Sequence, residues 1–137
     1  MEPICIKKTI QAPVARVFQA WSSAEMMERW FFPDSSMNCE ATCDFRVNGR
    51  YQVLMRDDEK EYPHSGEYRE IIDQKRIVFT WSSHMVKDTL VTIDFNGNDR
   101  ETQITLTHDL FKSEEEVTAH QKGWAGCLGN FEACLAS

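Results

Sequence analysis

From residue 36 to residue 110 apolar and polar positions alternate in short runs separated by turns. A period of two over so many segments predicts an antiparallel sheet with one face buried. Met37, Cys39, Ala41 and Cys43 share one parity, and Tyr51, Val53 and Met55 repeat it after the turn signal Asn48-Gly49. The charged stretch 56–64 contains Pro63 and reads as an exposed connection. Segments 66–72 and 76–81 then pair across Asp73-Gln74-Lys75, and segments 90–95 and 102–108 form a last hairpin around Asn96-Gly97-Asn98. An opening strand over 4–10 places Ile4, Ile6 and Ile10 on one parity.

Helical spacing takes over on either side of this run. Val14, Val17, Phe18 and Trp21 follow Pro13 at i, i+3, i+4 and i+7, one apolar stripe on a short helix. Ser22 to Glu25 has the capping-box pattern for a second short helix reaching Arg29 or Trp30, stopped by Pro33. Ser113 to Glu116 repeats that pattern and opens the one long helix, of roughly twenty residues or ~30 Å. Trp124, Leu128, Phe131 and Leu135 form its stripe. A lone amphipathic helix can bury such a stripe only against the sheet, which predicts a two-layer α+β fold.

Composition narrows the classes of function. With 137 residues the chain has the length of one domain, and 42% hydrophobic residues suffice for a core. A net charge of -7 argues against nucleic acid and anionic membranes, whose binding draws on clustered Lys and Arg. No apolar run is long enough to span a bilayer, and residues 1–8 do not form a signal peptide, so a cytoplasmic protein is expected. Five cysteines, an odd number, read as buried free thiols, and neither they nor the four scattered histidines have metal-ligand spacing. No metal site and no cofactor are assigned.

No nucleophile elbow, H-E-x-x-H or phosphate loop is present, so no catalytic residue is assigned. Two features remain. Gly123, Gly126 and Gly129 sit inside the long helix at roughly 1 kcal/mol each, which close backbone approach or clearance for a ligand would explain. His108 shares the inward parity of Ile104 and Leu106, so its imidazole is either bonded within the core or lines a cavity. Around the helix gathers an apolar and aromatic surplus: Phe32, Tyr51, Met55, Tyr68, Phe79, Trp81 and Trp124, with Leu128 from the helix stripe. A sheet curved around one helix can leave a pocket of ~300–1,000 Å³ there.

The ordered motifs resemble a known family. Ala12-Pro13, Val17 to Trp21, Trp30-Phe31-Phe32-Pro33, Asp44 to Gly49, Gly66 to Ile71, Val78 to Trp81, Leu106-Thr107-His108 and Gly123-Trp124 are similar to the heat-shock-protein-90 ATPase activator homologues. The resemblance implies the START-like (SRPBCC, helix-grip) superfamily: a curved antiparallel sheet of six to seven strands around a long C-terminal helix, with two short helices after the first strand. It implies one such domain over 1–137 and a cavity for a hydrophobic small molecule, lined by Phe32, Tyr51, Met55, Tyr68, Phe79, Trp81, His108, Trp124 and Leu128. Alternatives are a chaperone-associated ATPase regulator of the stress response, acting by surface contact as monomer or homodimer, and a cyclase or dehydratase using His108.

Overall fold

The computed structural model describes residues 1–136. Seven strands form one antiparallel sheet: β1 (Ile4–Ile10), β2 (Asn38–Cys43), β3 (Arg50–Arg56), β4 (Glu61–Ile72), β5 (Arg76–Trp81), β6 (Thr89–Gly97) and β7 (Thr102–Asp109). Their order is β1-β7-β6-β5-β4-β3-β2, so every neighbour is a hairpin partner except β1, which returns to pair with β7. Helices α1 (Val14–Ser22) and α2 (Ala24–Met27) follow β1, and α3 (Glu114–Ala136) closes the chain. This is the two-layer α+β fold that the alternation and the single long amphipathic helix predict, in the helix-grip arrangement that the family resemblance implies.

The hairpins close with the residues the turns require. Asn48 and Gln74 adopt positive φ, 70° and 58°, a conformation that Asn in particular tolerates. Asn98 turns the β6–β7 hairpin by accepting at its Oδ1 from the N–H groups of Arg100 (2.8 Å) and Glu101 (3.1 Å). Ser113 caps α3 by accepting from Glu116 N–H at 3.2 Å, while Glu116 reaches back to Lys112 N–H at 2.9 Å.

Three local expectations need correction. Residues 61–64 are strand rather than connection: the turn is confined to 57–60, and Pro63 lies opposite Leu54 in β4. Proline is tolerated there because β5 pairs with β4 only from Tyr68 onward, apart from one bridge at Ser65–Ser82. The second short helix is capped one residue later, by Ser23 accepting from Met26 N–H, and ends at Met27. Of the five thiols only Cys39 and Cys127 are buried, Cys43 and Cys134 are half-buried, and Cys5 is exposed on the edge strand.

The core lies between the sheet and the helices. Trp30 and Phe131 are wholly buried, with ring centroids 4.7 Å apart, and Trp21 packs on Trp30 at 4.6 Å. Trp30 Nε1–H donates to the Ala20 carbonyl at 3.0 Å, which satisfies its one polar group.

The three helix glycines separate into different roles. A Cβ on Gly126 would stand 1.9 Å from the Pro33 carbonyl oxygen, so α3 touches the backbone of the 31–33 segment there. At Gly123 and Gly129 a Cβ would meet nothing within 4 Å. Gly129→Ala is therefore expected to stabilise by roughly 1 kcal/mol through helix propensity. Gly126→Ala should destabilise by about 1–3 kcal/mol, because backbone on both sides must move. Urea melts of the two variants measure the opposite signs, and equal shifts would contradict the close approach.

Candidate functional site

Between α3 and the sheet lies a cavity of about 130 Å³. Phe31, Met55, Met85, Trp81 and Trp124 form its aromatic and thioether lining, Gly123 and Cys127 its helix side, and His64, Ser83, His84 and His120 its more polar part. The walls are one ring cluster: Trp81 lies 5.3 Å from Trp124 and 5.7 Å from Phe31, nearly parallel to the latter. Pro33, Met55, His64 and His84 are shared with a surface groove of about 250 Å³, which also includes Asp57 and Tyr62.

Each wall residue has a local reason for its place. Trp81 ends β5, where the strand parity Ile77, Phe79, Trp81 turns it inward. His64 follows the inward parity of Gly66 and Tyr68 on β4 and lies 4.7 Å from the Trp81 ring. Gly123 leaves α3 without a side chain where the cavity abuts it.

No Asp, Glu, Lys or Arg lines the cavity. Burial pushes the His64 imidazole down to about 4, with His120 and His84 adding a smaller repulsion. The Cys127 thiol is pushed up by burial and stays protonated. Among the described residues the buried side-chain nitrogens Trp21 Nε1, His64 Nδ1 and Trp81 Nε1 make no well-formed hydrogen bond, and none of the three has surface open to a water molecule.

The residues singled out in the sequence divide into three sets. Met55, Trp81 and Trp124 line the cavity. Tyr51, Tyr68 and Phe79 surround a separate cleft of about 10 Å³ with Trp21, Met27 and Phe31, barely room for one water. Tyr51 Oη–H is tied down there by donating to the Thr80 carbonyl. Phe32, Leu128 and His108 line neither space. The aromatic surplus thus fills most of the helix–sheet interior, and the cavity is smaller than the pocket anticipated from the curved sheet.

His108 is wholly buried, and both ring nitrogens are engaged. Trp124 Nε1–H donates to its Nδ1 at 2.9 Å, which makes Nδ1 the acceptor and places the ring proton on Nε2. Nε2–H then donates to Thr89 Oγ1 at 2.8 Å, and Thr89 donates to the Trp81 carbonyl at 2.6 Å. The chain Trp124–His108–Thr89–Trp81 leaves no free nitrogen for acid–base work. Its effect is to fix the orientation of Trp124, one of the cavity walls.

The sequence reading missed Phe31, His64, His84, Met85, His120 and Cys127. Phe31 is buried while Phe32 is only half-buried, its carbonyl accepting from Asn130 Nδ2 at 2.7 Å. Among the described residues, no three His, Cys, Asp or Glu side chains come together in a way that could hold a metal ion. Among the described residues no helix is long and apolar enough to cross a membrane.

A family model described as "Activator of Hsp90 ATPase homolog 1-like protein" matches residues 11–136. Among solved structures, protein CV1439 of Chromobacterium violaceum is 19% identical, with a TM-score of 0.87 over 100% of this chain and 99% of that one. The AHSA1 protein SPO3351 of Silicibacter pomeroyi is 19% identical, with a TM-score of 0.85 over 98% and 97%. DynU16, a protein of the dynemicin biosynthetic locus, is 17% identical with a TM-score of 0.82, over 100% of this chain and 48% of that one. At these identities the likeness is one of fold. No curated protein matches the chain significantly.

Proposed function

The chain belongs to the Activator of Hsp90 ATPase homolog 1-like family, and on that basis we propose that it binds a hydrophobic small molecule between α3 and the sheet. The observation that carries this reading is the cavity itself. A space of about 130 Å³ persists among aromatic walls in an otherwise filled interior, next to a helix that carries glycine there at a cost in propensity. Its rim meets a surface groove, which gives a ligand a route in. Binding rather than turnover is favoured because the one wholly buried histidine, His108, is consumed by its hydrogen bonds. The protein would act as one START-like unit in the cytoplasm. A chaperone partner rests on the family description alone, and no feature of the site favours it.

Native mass spectrometry of the freshly purified protein, with thermal shift against uncharged probes of about six to ten heavy atoms, tests this. The expected result is a co-purified mass, or a rise in Tm that grows with probe concentration as binding linkage requires. An empty protein whose Tm no probe moves would overturn the reading.

A further inference from the structure

We infer that the ligand is an amphiphile carrying a protonated amine, its apolar body in the cavity between α3 and the sheet and its ammonium in the adjoining groove beside Asp57. This rests on the binding reading above and adds to it the chemistry and the direction of the occupant. Direction follows from the register of β3 and β4. Met55 lies opposite Tyr62, and His64 stands two residues further in on the same face of β4. Met55 and His64 border both the cavity and the groove, whereas Tyr62, roughly 7 Å along the strand from His64, borders the groove alone. Asp57 follows in the turn that closes the hairpin, and it too lines the groove. The inward face of this hairpin therefore leads from His64, 4.7 Å from the Trp81 ring, out to the Asp57 carboxylate.

The cavity has a second neighbour on the opposite side of the 82–88 loop. That hollow, of about 230 Å³, carries Lys87, Lys112 and Glu116 and shares with the cavity Ser83, His84 and Met85. These are consecutive residues of one loop, so the loop stands between the two spaces. The groove instead shares Pro33, Met55, His64 and His84, which come from four separate segments. Residues from several sides border both spaces where one opens into the other, and this makes the groove the way out for a ligand longer than the cavity.

Charge selects the head group. Among the described residues, Asp57 is the only Asp, Glu, Lys or Arg that lines either the cavity or the groove. Its carboxyl is held below the usual range, first by the N–H groups of Glu59 and Lys60 and then by the Tyr62 hydroxyl. Oδ1 accepts from those two N–H groups at 2.8 and 2.7 Å, and Oδ2 accepts from Tyr62 Oη–H at 2.8 Å, which leaves Oδ2 room for a further donor. The Tyr62 bond also ties the carboxylate to a ring that lines the groove. Around it the turn 57–60 holds three acidic residues against Lys60, and the neighbouring Arg56 is engaged by Glu40 and Glu61. An anionic head would meet this carboxylate without a counter-charge, whereas an ammonium donates to it. The uncharged cavity takes the apolar end, because a charge there would be desolvated and unpaired.

The test titrates octylammonium, octanol and octanoate, equal in carbon number, into the unaltered protein, Asp57→Asn and Asp99→Asn by calorimetry at low salt. Asparagine keeps a side-chain oxygen for the N–H groups of the turn, so Asp57→Asn removes charge and little structure. Asp99 is exposed in the β6–β7 turn at the other end of the sheet, and its variant makes the same change in net charge away from the groove. Octylammonium is expected to bind the unaltered protein more tightly than octanoate. Asp57→Asn should weaken octylammonium by about two- to fivefold, tighten octanoate and leave octanol unmoved, while Asp99→Asn should move none of them. Octylammonium indifferent to Asp57→Asn, or weakened equally by Asp99→Asn, would overturn the inference. Octanoate binding tighter than octylammonium would overturn it too, and would turn the head group toward Lys87 and Lys112. In each of these cases octanol binding leaves the binding reading standing, whereas no binding by any of the three would remove both. The preference for octylammonium over octanoate is read on the unaltered protein, so the test survives a poorly folding Asp57→Asn variant.

Discussion

His108→Leu is expected to lower the free energy of unfolding by about 2–4 kcal/mol, although leucine has nearly the volume and greater apolarity. The loss comes from what stays behind. Trp124 Nε1–H loses its acceptor in a site where Trp124 is 3% exposed, and no water replaces His108 Nδ1 without a void. Thr89 retains its bond to the Trp81 carbonyl, so the damage falls on the indole. Trp124→Phe alone leaves Nδ1 as the orphan and should cost about 1–3 kcal/mol. The double variant removes both partners of the bond and should cost less than the sum of the two by about 1–2 kcal/mol. Urea denaturation of the four proteins closes this cycle. Strict additivity would show that the His108–Trp124 bond contributes nothing, and His108 would then be a packed ring.

That histidine was legible from the chain because it sits on a regular strand. Parity with Ile104 and Leu106 aims it inward, and the β6–β7 register then sets it opposite Val91, with Thr89 two residues away. Parity cannot say which buried space a side chain borders, so His108 and Trp124, bonded to one another, carried equal weight in the sequence while only Trp124 lines the cavity. His64 was hidden for another reason. Its neighbours are charged and include Pro63, so composition outweighed the alternation Tyr62, His64, Gly66, Tyr68 that the strand follows. Phe31 and Phe32 lie outside any repeating element, where no period assigns a face, and the inward residue is Phe31. Spacing by three on a helix marks a side without saying what lies opposite. Gly126 meets the Pro33 carbonyl while Gly123 borders the cavity and Gly129 faces solvent. The strands, the long helix and their layering follow from periodicity, whereas the cavity depends on how much of the interior the same aromatics fill.

Acid should unfold this protein from a pH at which most side chains are indifferent, because one buried and one half-buried imidazole must remain neutral. His108 is pushed down to about 3, first by burial and then by the neighbouring His120, and His64 is pushed down to about 4. Both titrate near 6.5 once unfolded. Below that value the unfolded chain binds protons that the folded one refuses, so stability is complete above pH 6.5 and falls as pH falls. The loss continues through about pH 4 for His64 and about pH 3 for His108. At about 1.4 kcal/mol per decade of pH, His108 withdraws on the order of 4 kcal/mol. His64, partly exposed at the rim, withdraws about 2 kcal/mol after screening. Together these approach the whole stability of an ordinary domain, roughly 5–15 kcal/mol. The urea midpoint should therefore drop steeply between pH 6 and pH 4, before most exposed carboxylates titrate. His64→Gln should make that slope shallower between pH 6.5 and pH 4 by His64's share and leave the share of His108, which runs on down to about pH 3. A midpoint constant from pH 6.5 to pH 4 would mean that water reaches both rings and that burial holds neither of them neutral.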